Sequence, residues 1–553
     1  MIANLFKASL AKFHGGVHPP ERKLESTTGP IRQVAMPAHL VLPLRQHIGN
    51  LPKLRVGMGE HVLKGQLLAE ANGYISAAVH APTSGTVTSI AEQLIPHPSG
   101  LPDVCITLEA DGADRWIARQ PCDYRNMNRA ELLERLRQSG IVGLGGAAFP
   151  SHVKLRLDAR HPVQTLILNG AECEPFITCD DMLMRERAAG IVRGLEVMRD
   201  LLGAQTCMIG IEDNKPEAAD ALRAAIKETG NAVEVVVVPT LYPSGSAKQL
   251  IKLLTGREVP SGALPSQIGV QCFNVATAYT VHRFVDHGEP VVSRVVTLAG
   301  NVAHPGNFEV PIGTSIAAFL EAAGGALPGT DDLIMGGPMM GFSLPAAQVP
   351  VVKATNCIIA AMPEMFPPPP LAMPCIRCAR CADACPVELQ PQELYWFARA
   401  QNLEKARDYN LFDCIECGCC SYVCPSHIPL VQYYRFAKSE IIAQDKAKEA
   451  ANLARERNEA RLQRIEREKQ ERALKHAQKA AAASKAEQTP ADEEKQAAIR
   501  AAVERAALQK AQAQQEGIQP KNVDDLPPEA QKEIAELDAL RVQAAAAAEK
   551  QET

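Results

Sequence analysis

Two cysteine motifs are the part of this sequence most able to do chemistry. The segments "CIRCARCADACP" and "CIECGCCSYVCP" begin at Cys375 and Cys414, and both have the spacing C-x2-C-x2-C-x3-C-P. With this spacing, three thiolates of one tight loop can bind three irons of a cubane, while the fourth cysteine serves a second cluster. The two motifs therefore predict two [4Fe–4S] clusters.

The ligand sets follow from exchange of the fourth cysteine between the motifs. The first cluster is assigned Cys375, Cys378, Cys381 and Cys424, and the second is assigned Cys414, Cys417, Cys420 and Cys385. Zinc is the rival metal, but a zinc ribbon uses two C-x2-C pairs and would leave the other four cysteines without a role. Cys419 breaks the spacing and is predicted to be a packed thiol rather than a ligand.

A glycine-rich stretch is the second candidate site. The segment "GLGGAAFPSHVK" runs from Gly143 to Lys154. Gly145 and Gly146 allow the backbone to approach a phosphate or a flavin ring, and Lys154 supplies positive charge. Because clusters pass single electrons, a nicotinamide donor would need a two-electron converter, and this loop is the best candidate for that site.

An acidic segment follows the glycine-rich stretch. In "LNGAECEPFITCDDMLM", Asn169, Glu172 and Glu174 come directly after a predicted strand. Helices and strands alternate over this region, which predicts a parallel sheet, and ligands of such sheets bind at the carboxyl ends of the strands. The amide and the two carboxylates are therefore candidates for contact with the same cofactor.

Composition limits the class of protein. At 553 residues the chain should form several domains, and a net charge of -5 argues against nucleic acid as a partner. The 16 cysteines, with no apolar signal core in the opening residues, indicate a reduced cytoplasmic protein. No run of 18 apolar residues is present, so we expect no membrane span.

The predicted fold class is multidomain α/β and α+β, with five segments. They are a β-rich barrel-sandwich over 1–125, a Rossmann-like α/β domain over 126–290 with the candidate cofactor site, a β-grasp module over 291–345, a helical two-cluster ferredoxin-like domain over 363–437, and a helical or disordered Ala/Lys/Glu-rich tail over 438–553. The first resembles biotinyl and lipoyl carrier domains, but Gln66 to Ile90 contains no carrier lysine. The β-grasp module resembles soluble-ligand-binding modules, and packing or ligand binding would both explain it.

The motifs together resemble a known family. "GLGGAAFP…K" and "NGAECEP" are similar to motifs of the NADH- and FMN-binding subunit of respiratory complex I. The order of modules more closely resembles the RnfC family, the C subunits of Rnf (Rsx) ion-translocating electron-transport complexes. For FMN and NAD(H), this resemblance implies binding residues Gly143, Gly145, Gly146, Lys154, Asn169, Glu172, Gly245, Asn274 and Thr277, with Glu174 facing the nicotinamide.

Three positions depart from the complex I pattern. Leu144 stands where that family has arginine, Ala171 where it has aspartate, and Ser246 where it has glutamate. The charge pattern of the pocket therefore differs, which affects the expected NADH contacts more than the FMN contacts.

The resemblance also implies a function. The chain would be a peripheral subunit on the cytoplasmic face of the bacterial inner membrane, acting as an ion-translocating NADH (ferredoxin:NAD) oxidoreductase. Its partners would be an iron–sulfur subunit and integral membrane subunits, with ferredoxin as an indirect partner. Two alternatives remain: a soluble diaphorase subunit of a hydrogenase or formate dehydrogenase, and a non-enzymatic iron–sulfur adaptor with a decayed nucleotide site.

Overall fold

A computed structural model describes residues 10–156, 160–485 and 490–515. Its contacts divide the chain into two compact units, one ending at Lys446 and the other beginning at Ala447. The candidate sites all lie in the first unit. The second is described below by its helices alone.

The first domain is a β-sandwich, as predicted. Two antiparallel sheets have the strand orders β2-β8-β7-β4 and β3-β5-β6. Alternating side chains such as Leu40, Leu42 and Leu108 point inward and are fully buried, which gives the sandwich its core. The strands of the sandwich are β2 His39–Pro43, β3 Lys53–Leu54, β4 His61–Val62, β5 Leu67–Glu70, β6 Val79–His80, β7 Gly85–Leu94 and β8 Pro102–Ala110. The short strand β1 Arg32–Gln33 precedes them in the chain but pairs outside the sandwich.

The second domain is a parallel α/β sheet, also as predicted, with strand order β11-β10-β9-β12. Helices α3 and α6 cross closely, because a Cβ at Gly194 would lie 1.8 Å from the carbonyl oxygen of Ala278. The elements are α1 Arg129–Gln138, α2 Ser151–Lys154, β9 Thr165–Gly170, α3 Cys179–Leu202, β10 Thr206–Glu212, α4 Pro216–Thr229, β11 Val233–Val238, α5 Ala247–Thr255, β12 Val270–Asn274 and α6 Val275–His287.

The β-grasp module forms a six-stranded sheet of order β1-β14-β13-β17-β15-β16. It extends beyond the predicted range of 291–345, because β17 lies between β13 and β15 and β1 pairs with β14. The sequence around β17 contains no pattern that would distinguish this short apolar run from a linker. The elements are β13 Ser293–Gly300, β14 Gly306–Pro311, α7 Ile316–Ala322, β15 Asp332–Met335, β16 Phe342–Ser343 and β17 Cys357–Ala361.

The cysteine motifs lie in a helical module. Leu394, Tyr434 and Ile441 are buried in its core. Its helices are α8 Arg380–Asp383, α9 Pro391–Arg399, α10 Leu403–Asp408, α11 Cys419–Tyr422 and the start of α12, Leu430–Lys485. The predicted tail is helical where it is described, in α12 and α13 Pro490–Gln515, and residues 516–553 lie outside the described part.

Among the described helices, none combines the length and the apolar character needed to cross a membrane.

Residues 10–33, here called the N-terminal strap, differ from the predicted organisation. They fall within the predicted range 1–125 but bind other modules instead of the sandwich. The His14 ring contacts the carbonyl oxygen of Cys385 through Nδ1 at 2.9 Å, and the N–H of Val17 donates to the carbonyl of Tyr242 at 2.8 Å. Further along, β1 joins the β-grasp sheet.

Candidate functional site

One large cavity, of about 580 Å³, opens at the carboxyl ends of β9 and β12. Its size is within the usual range for a bound cofactor. The structure brings all the predicted cofactor-binding residues to its walls: Gly143, Gly145, Gly146, Lys154, Asn169, Glu172, Glu174, Gly245, Asn274 and Thr277. Residues distant in sequence therefore form a single site.

The glycine-rich loop is fixed by Thr277 on helix α6. The Thr277 hydroxyl accepts a hydrogen bond from the N–H of Leu144 at 3.0 Å and donates to the carbonyl of Val142 at 3.3 Å. Gly146 has a φ of 110°, which is available to glycine and strained for other residues. The loop thus presents bare backbone to the cavity, as a flavin or phosphate site requires.

Lys154 is the one cationic side chain on the described walls of this cavity. Its Nζ donates to the carbonyl of Cys272 and lies 4.3 Å from the centre of the Phe273 ring. Burial lowers the pKa of Lys154. An anion beside it would offset that desolvation, so the site fits a cofactor phosphate.

Three carboxylates share the cavity with this lysine. Glu172 accepts hydrogen bonds from the N–H groups of Asp180 and Asp181, at 2.7 and 3.1 Å, at the start of helix α3. Burial, with Glu172 as the second cause, raises the pKa of Asp180 to about 7, and Asn274 donates to its carboxylate at 2.5 Å. Burial also raises the pKa of Glu172 and of Glu174. Each of these three carboxyl groups is therefore easier to protonate than an exposed one.

Glu174 connects the α/β domain to the β-grasp module. Its Oε1 accepts hydrogen bonds from the N–H groups of Met339 and Met340, at 2.7 and 2.9 Å. Gly337 permits this approach, because a Cβ there would lie 2.0 Å from Cγ of Glu174. The predicted contact of Glu174 with a nicotinamide stays a prediction.

A buried lysine that sequence reasoning missed holds the acidic segment in place. Lys23 of the N-terminal strap donates from Nζ to the carbonyls of Glu172, Glu174 and Ile177, at 2.8, 2.8 and 2.6 Å. Glu172 has a φ of 50°, so its backbone needs such support. No spacing signal links Lys23 to residues so far along the chain.

The three departures from the complex I pattern lie at different depths. Leu144 and Ala171 are buried, and their N–H groups bind Thr277 and Asn169 respectively. Ser246 lines the cavity at the start of helix α5. Of the three changed side chains, Ser246 is therefore the one at the cavity wall.

Two smaller cavities lie among the cysteines of the helical module. The cysteines that line the first are Cys375, Cys378, Cys381 and Cys424. The cysteines that line the second are Cys385, Cys414, Cys417 and Cys420. Four sulfur donors around each space are the ligand set of a [4Fe–4S] cluster, so the residues present fit that group. Cys419 lines neither cavity and is fully buried against Val17 and Tyr242.

The second cysteine set adjoins the large cavity. Ile415 and Cys417 line both spaces. Tyr242, also on the wall of the large cavity, donates its hydroxyl to the carbonyl of Cys417 at 2.7 Å. A cofactor in the large cavity would therefore share a wall, which includes Ile415 and Cys417, with the second cysteine set.

Four domain-family models match the chain. They are described as the RnfC barrel sandwich hybrid domain over 11–113, the Nuo51 FMN-binding domain over 136–283, the SLBB domain over 295–343 and a 4Fe-4S dicluster domain over 374–428. These matches confirm the predicted fold class and support FMN and [4Fe–4S] clusters as the cofactors.

Similar proteins agree with the domain matches. The chain is 49% identical over 483 residues to the C subunit of the ion-translocating oxidoreductase complex of Yersinia pestis bv. Antiqua, covering 87% of this chain and 77% of that one. It is 48% identical over 529 residues to the subunit of the same name from Erwinia tasmaniensis, covering 94% of this chain. The chain spans 63% of the length of the Erwinia relative.

A solved NAD+-reducing [NiFe]-hydrogenase in the H2-reduced state is a more distant neighbour. It has 17% sequence identity and a TM-score of 0.41, and the match covers 59% of this chain and 63% of that chain. This likeness is too low to indicate function.

Proposed function

The chain belongs to the RnfC family, the C subunits of ion-translocating oxidoreductase complexes, and we propose that it exchanges electrons between NAD(H), FMN and two [4Fe–4S] clusters. The observation that carries this proposal is the wall shared by the two sites. Ile415 and Cys417 line both the large cavity and the second cysteine cavity. A two-electron cofactor and a one-electron cofactor would therefore be adjacent.

Each part of the cavity has a role in this proposal. The backbone from Gly143 to Gly146 accommodates the flavin closely, and Lys154 balances its phosphate. Asn169, whose amide donates to the carbonyl of Gly245 at 2.7 Å, holds the loop on the opposite wall in place. The chemistry that a bound FMN would supply is acceptance of a hydride from NADH and release of the two electrons one at a time.

The eight motif cysteines give the proposed path an order. We assign Cys385, Cys414, Cys417 and Cys420 to the cluster beside the flavin. We assign Cys375, Cys378, Cys381 and Cys424 to the cluster that passes electrons onward. Exposure supports this order, because Cys378 is exposed whereas Cys417 is buried.

The finer identity of the reaction and of the partners is also part of the proposal. Electrons would pass between NADH and the other subunits of a membrane complex, including an iron–sulfur subunit and integral membrane subunits, and indirectly ferredoxin. The chain would bind that complex at the cytoplasmic face of the bacterial inner membrane. The relatives' name supports membership of an ion-translocating complex.

Anaerobic purification of the full chain tests this function. We expect bound FMN, about eight irons per chain from two four-iron clusters, and bleaching of the iron–sulfur absorption on addition of NADH. A chain that contains iron but no flavin, and that does not react with NADH in the presence of added FMN, would instead be an electron-transfer adaptor.

A further inference from the structure

The two cysteine motifs form an internal structural repeat. Helices α8 and α11 begin at equivalent positions of the two motifs. Arg377 and Glu416 are equivalent in sequence and have φ values of 56° and 58°. Ala379 and Gly418, the next equivalent pair of positive-φ residues, have φ values of 63° and 81°. The backbone beside the cysteine cavity therefore has the same conformation in each half of the module.

The equivalent surfaces have different surroundings. In the second half, Ile415 and Cys417 lie against the large cavity, where the electron donor is proposed to bind. In the first half, the equivalent Ile376 is 67% exposed, and Cys378 is also exposed. The surface that meets a redox cofactor in one half is thus uncovered in the other.

The charged residues of the two halves also differ in whether they have partners. Glu416 forms ion pairs with Arg435 and Lys438 of α12, at 2.9 and 2.8 Å. Arg377, at the equivalent position, has no ion pair among the residues that the structure describes, and neither does Arg380. The uncovered surface therefore carries two cations that an acidic partner could neutralise.

Apolar side chains complete this surface. Leu371 is 89% exposed and Met373 is 61% exposed. The N–H of Met373 donates to the carbonyl of Ser426 at 2.9 Å, which attaches this segment to the loop that follows Cys424. We call Leu371, Met373, Ile376, Arg377 and Arg380 the exit face. Exposed apolar groups beside cations are characteristic of a protein-binding surface.

We propose that the exit face docks an acidic redox protein that exchanges electrons with the Cys375 cluster. This inference rests on the proposed function and adds the surface and the charge of the partner. Ile376 would line the interface with the partner, just as the equivalent Ile415 lines the large cavity. Carboxylates of the partner would pair with Arg377 and Arg380.

Charge reversal tests the docking. The probe is the set of remaining complex subunits, purified together from cells that lack this chain. We expect Arg377→Glu/Arg380→Glu to weaken equilibrium binding about tenfold or more in low salt, and to remove most of its salt dependence. The control Lys53→Glu/Lys227→Glu changes two exposed lysines by the same charge and should bind like the unmodified chain. Unchanged binding of the arginine variant, or equal loss in the control, overturns the proposal.

Two further measurements guard against misfolding and identify the neighbour. If the arginine variant loses iron, Leu371→Glu/Met373→Glu repeats the test outside the cysteine motif, with the same expected loss and the same overturning result. A photo-cross-linking residue at position 376 should attach to an acidic segment of a redox subunit. Attachment to lipid, to a second copy or to the chain itself overturns the proposal, as does the absence of a cross-link.

The test separates this inference from the proposed function. The binding measurement uses neither added FMN nor NADH. A chain that binds through the exit face but lacks flavin would contradict the proposed function alone. A chain that oxidises NADH but binds normally after charge reversal would contradict the exit face alone.

Discussion

Lys154 combines two properties that are costly to have together, a partly buried position and a positive charge. Its neighbours, the Cys272 carbonyl and the Phe273 ring, bring no negative charge of their own. A buried cation without a counter-charge is unfavourable, and a bound phosphate would supply one. The charged form of Lys154 is therefore most favourable when a cofactor phosphate lies beside it.

Lys154→Ala should weaken FMN binding while leaving both clusters intact. Removing a charge-assisted hydrogen bond costs roughly 1.5–3 kcal/mol, or about ten- to a hundredfold in affinity. Bound FMN and iron are measured in the same purified sample, and reduction of the clusters by NADH should return with excess free FMN. Lys53→Ala, at an exposed lysine, is the matched control, and flavin content equal to that control would contradict the phosphate site.

Cys419 and Cys420 are adjacent in sequence but differ in surroundings. Cys420 lines the second cysteine cavity, whereas Cys419 packs with Val17 and Tyr242. We expect Cys420→Ala to remove about four irons per chain and Cys419→Ala to remove none. Iron analysis with electron paramagnetic resonance of the reduced protein distinguishes the two variants. Loss of iron in Cys419→Ala alone would reverse the assignment.

At the scale of single residues, the sequence predicted what spacing encodes. The spacing of the eight motif cysteines, and of the residues in the glycine-rich loop, is compatible with only a few structures. Lys23 could not be predicted in this way, because its role is to donate to three carbonyls on a distant segment. Carbonyls are present in every residue, so the sequence contains no sign of which ones a lysine will meet.

At the scale of elements, a second buried lysine joins the sandwich to its neighbours. Lys353, which follows the β-grasp helix α7, donates from Nζ to the carbonyls of Ala78 and Gly140, at 2.6 and 2.7 Å. Ala78 lies beside strand β6 and Gly140 lies after helix α1. One side chain therefore connects three domains.

Lys353→Met should destabilise this junction, with a dependence on pH. Loss of both hydrogen bonds leaves two buried carbonyls unpaired, at a cost of about 1–3 kcal/mol each. Burial lowers the pKa of Lys353 from 10.5 to about 7, so folding releases a proton between these values and stability rises with pH. The variant lacks this gain, so its deficit should grow as the pH is raised from 7 towards 10.

Thermal unfolding under argon at several pH values measures this deficit. Lys53→Met, at an exposed lysine, should unfold like the unmodified chain throughout. A deficit of Lys353→Met that stays constant or shrinks as the pH rises would show that burial does not lower the pKa of this lysine.

The same scale shows where pattern-based prediction of elements fails. The parallel sheet of the α/β domain follows from its alternating strands and helices. Strand β17 does not follow from any pattern, because five apolar residues fit a buried strand, a helix segment or a linker equally well. Its place in the centre of the β-grasp sheet depends on neighbours up to 60 residues away, through pairing with β13.

At the scale of the whole molecule, both cysteine cavities and the large cavity lie in the unit that ends at Lys446. Asp445 still belongs to its structure, because it pairs with Arg407 at 2.8 Å. Downstream side chains of α12 are exposed from Ala447 to Ala482. They add no buried core to the cofactor sites.

Truncation after Lys446 should therefore leave the cofactor content unchanged. We expect FMN and iron per chain equal to those of the full chain, since no described residue beyond that point lines the large cavity or the two cysteine cavities. Truncation after Phe436 is the contrasting variant, because it removes the buried Ile441 and should lower iron content. Loss of FMN or iron on truncation after Lys446 would contradict the division into units.

The N-terminal strap has a consequence for synthesis on the ribosome. Its residues are translated before the cysteine module, yet its partners Ala384 and Cys385 belong to that module, where Gly16 donates to the Ala384 carbonyl at 3.1 Å. Contacts between residues so distant in sequence form late. The strap therefore cannot complete its contacts with the cysteine module until the three intervening domains have been translated. Closure of the strap thus reports that the cysteine module is complete. Until the cysteine module has folded, the groups of Gly16 and His14 that contact Ala384 and Cys385 lack these partners.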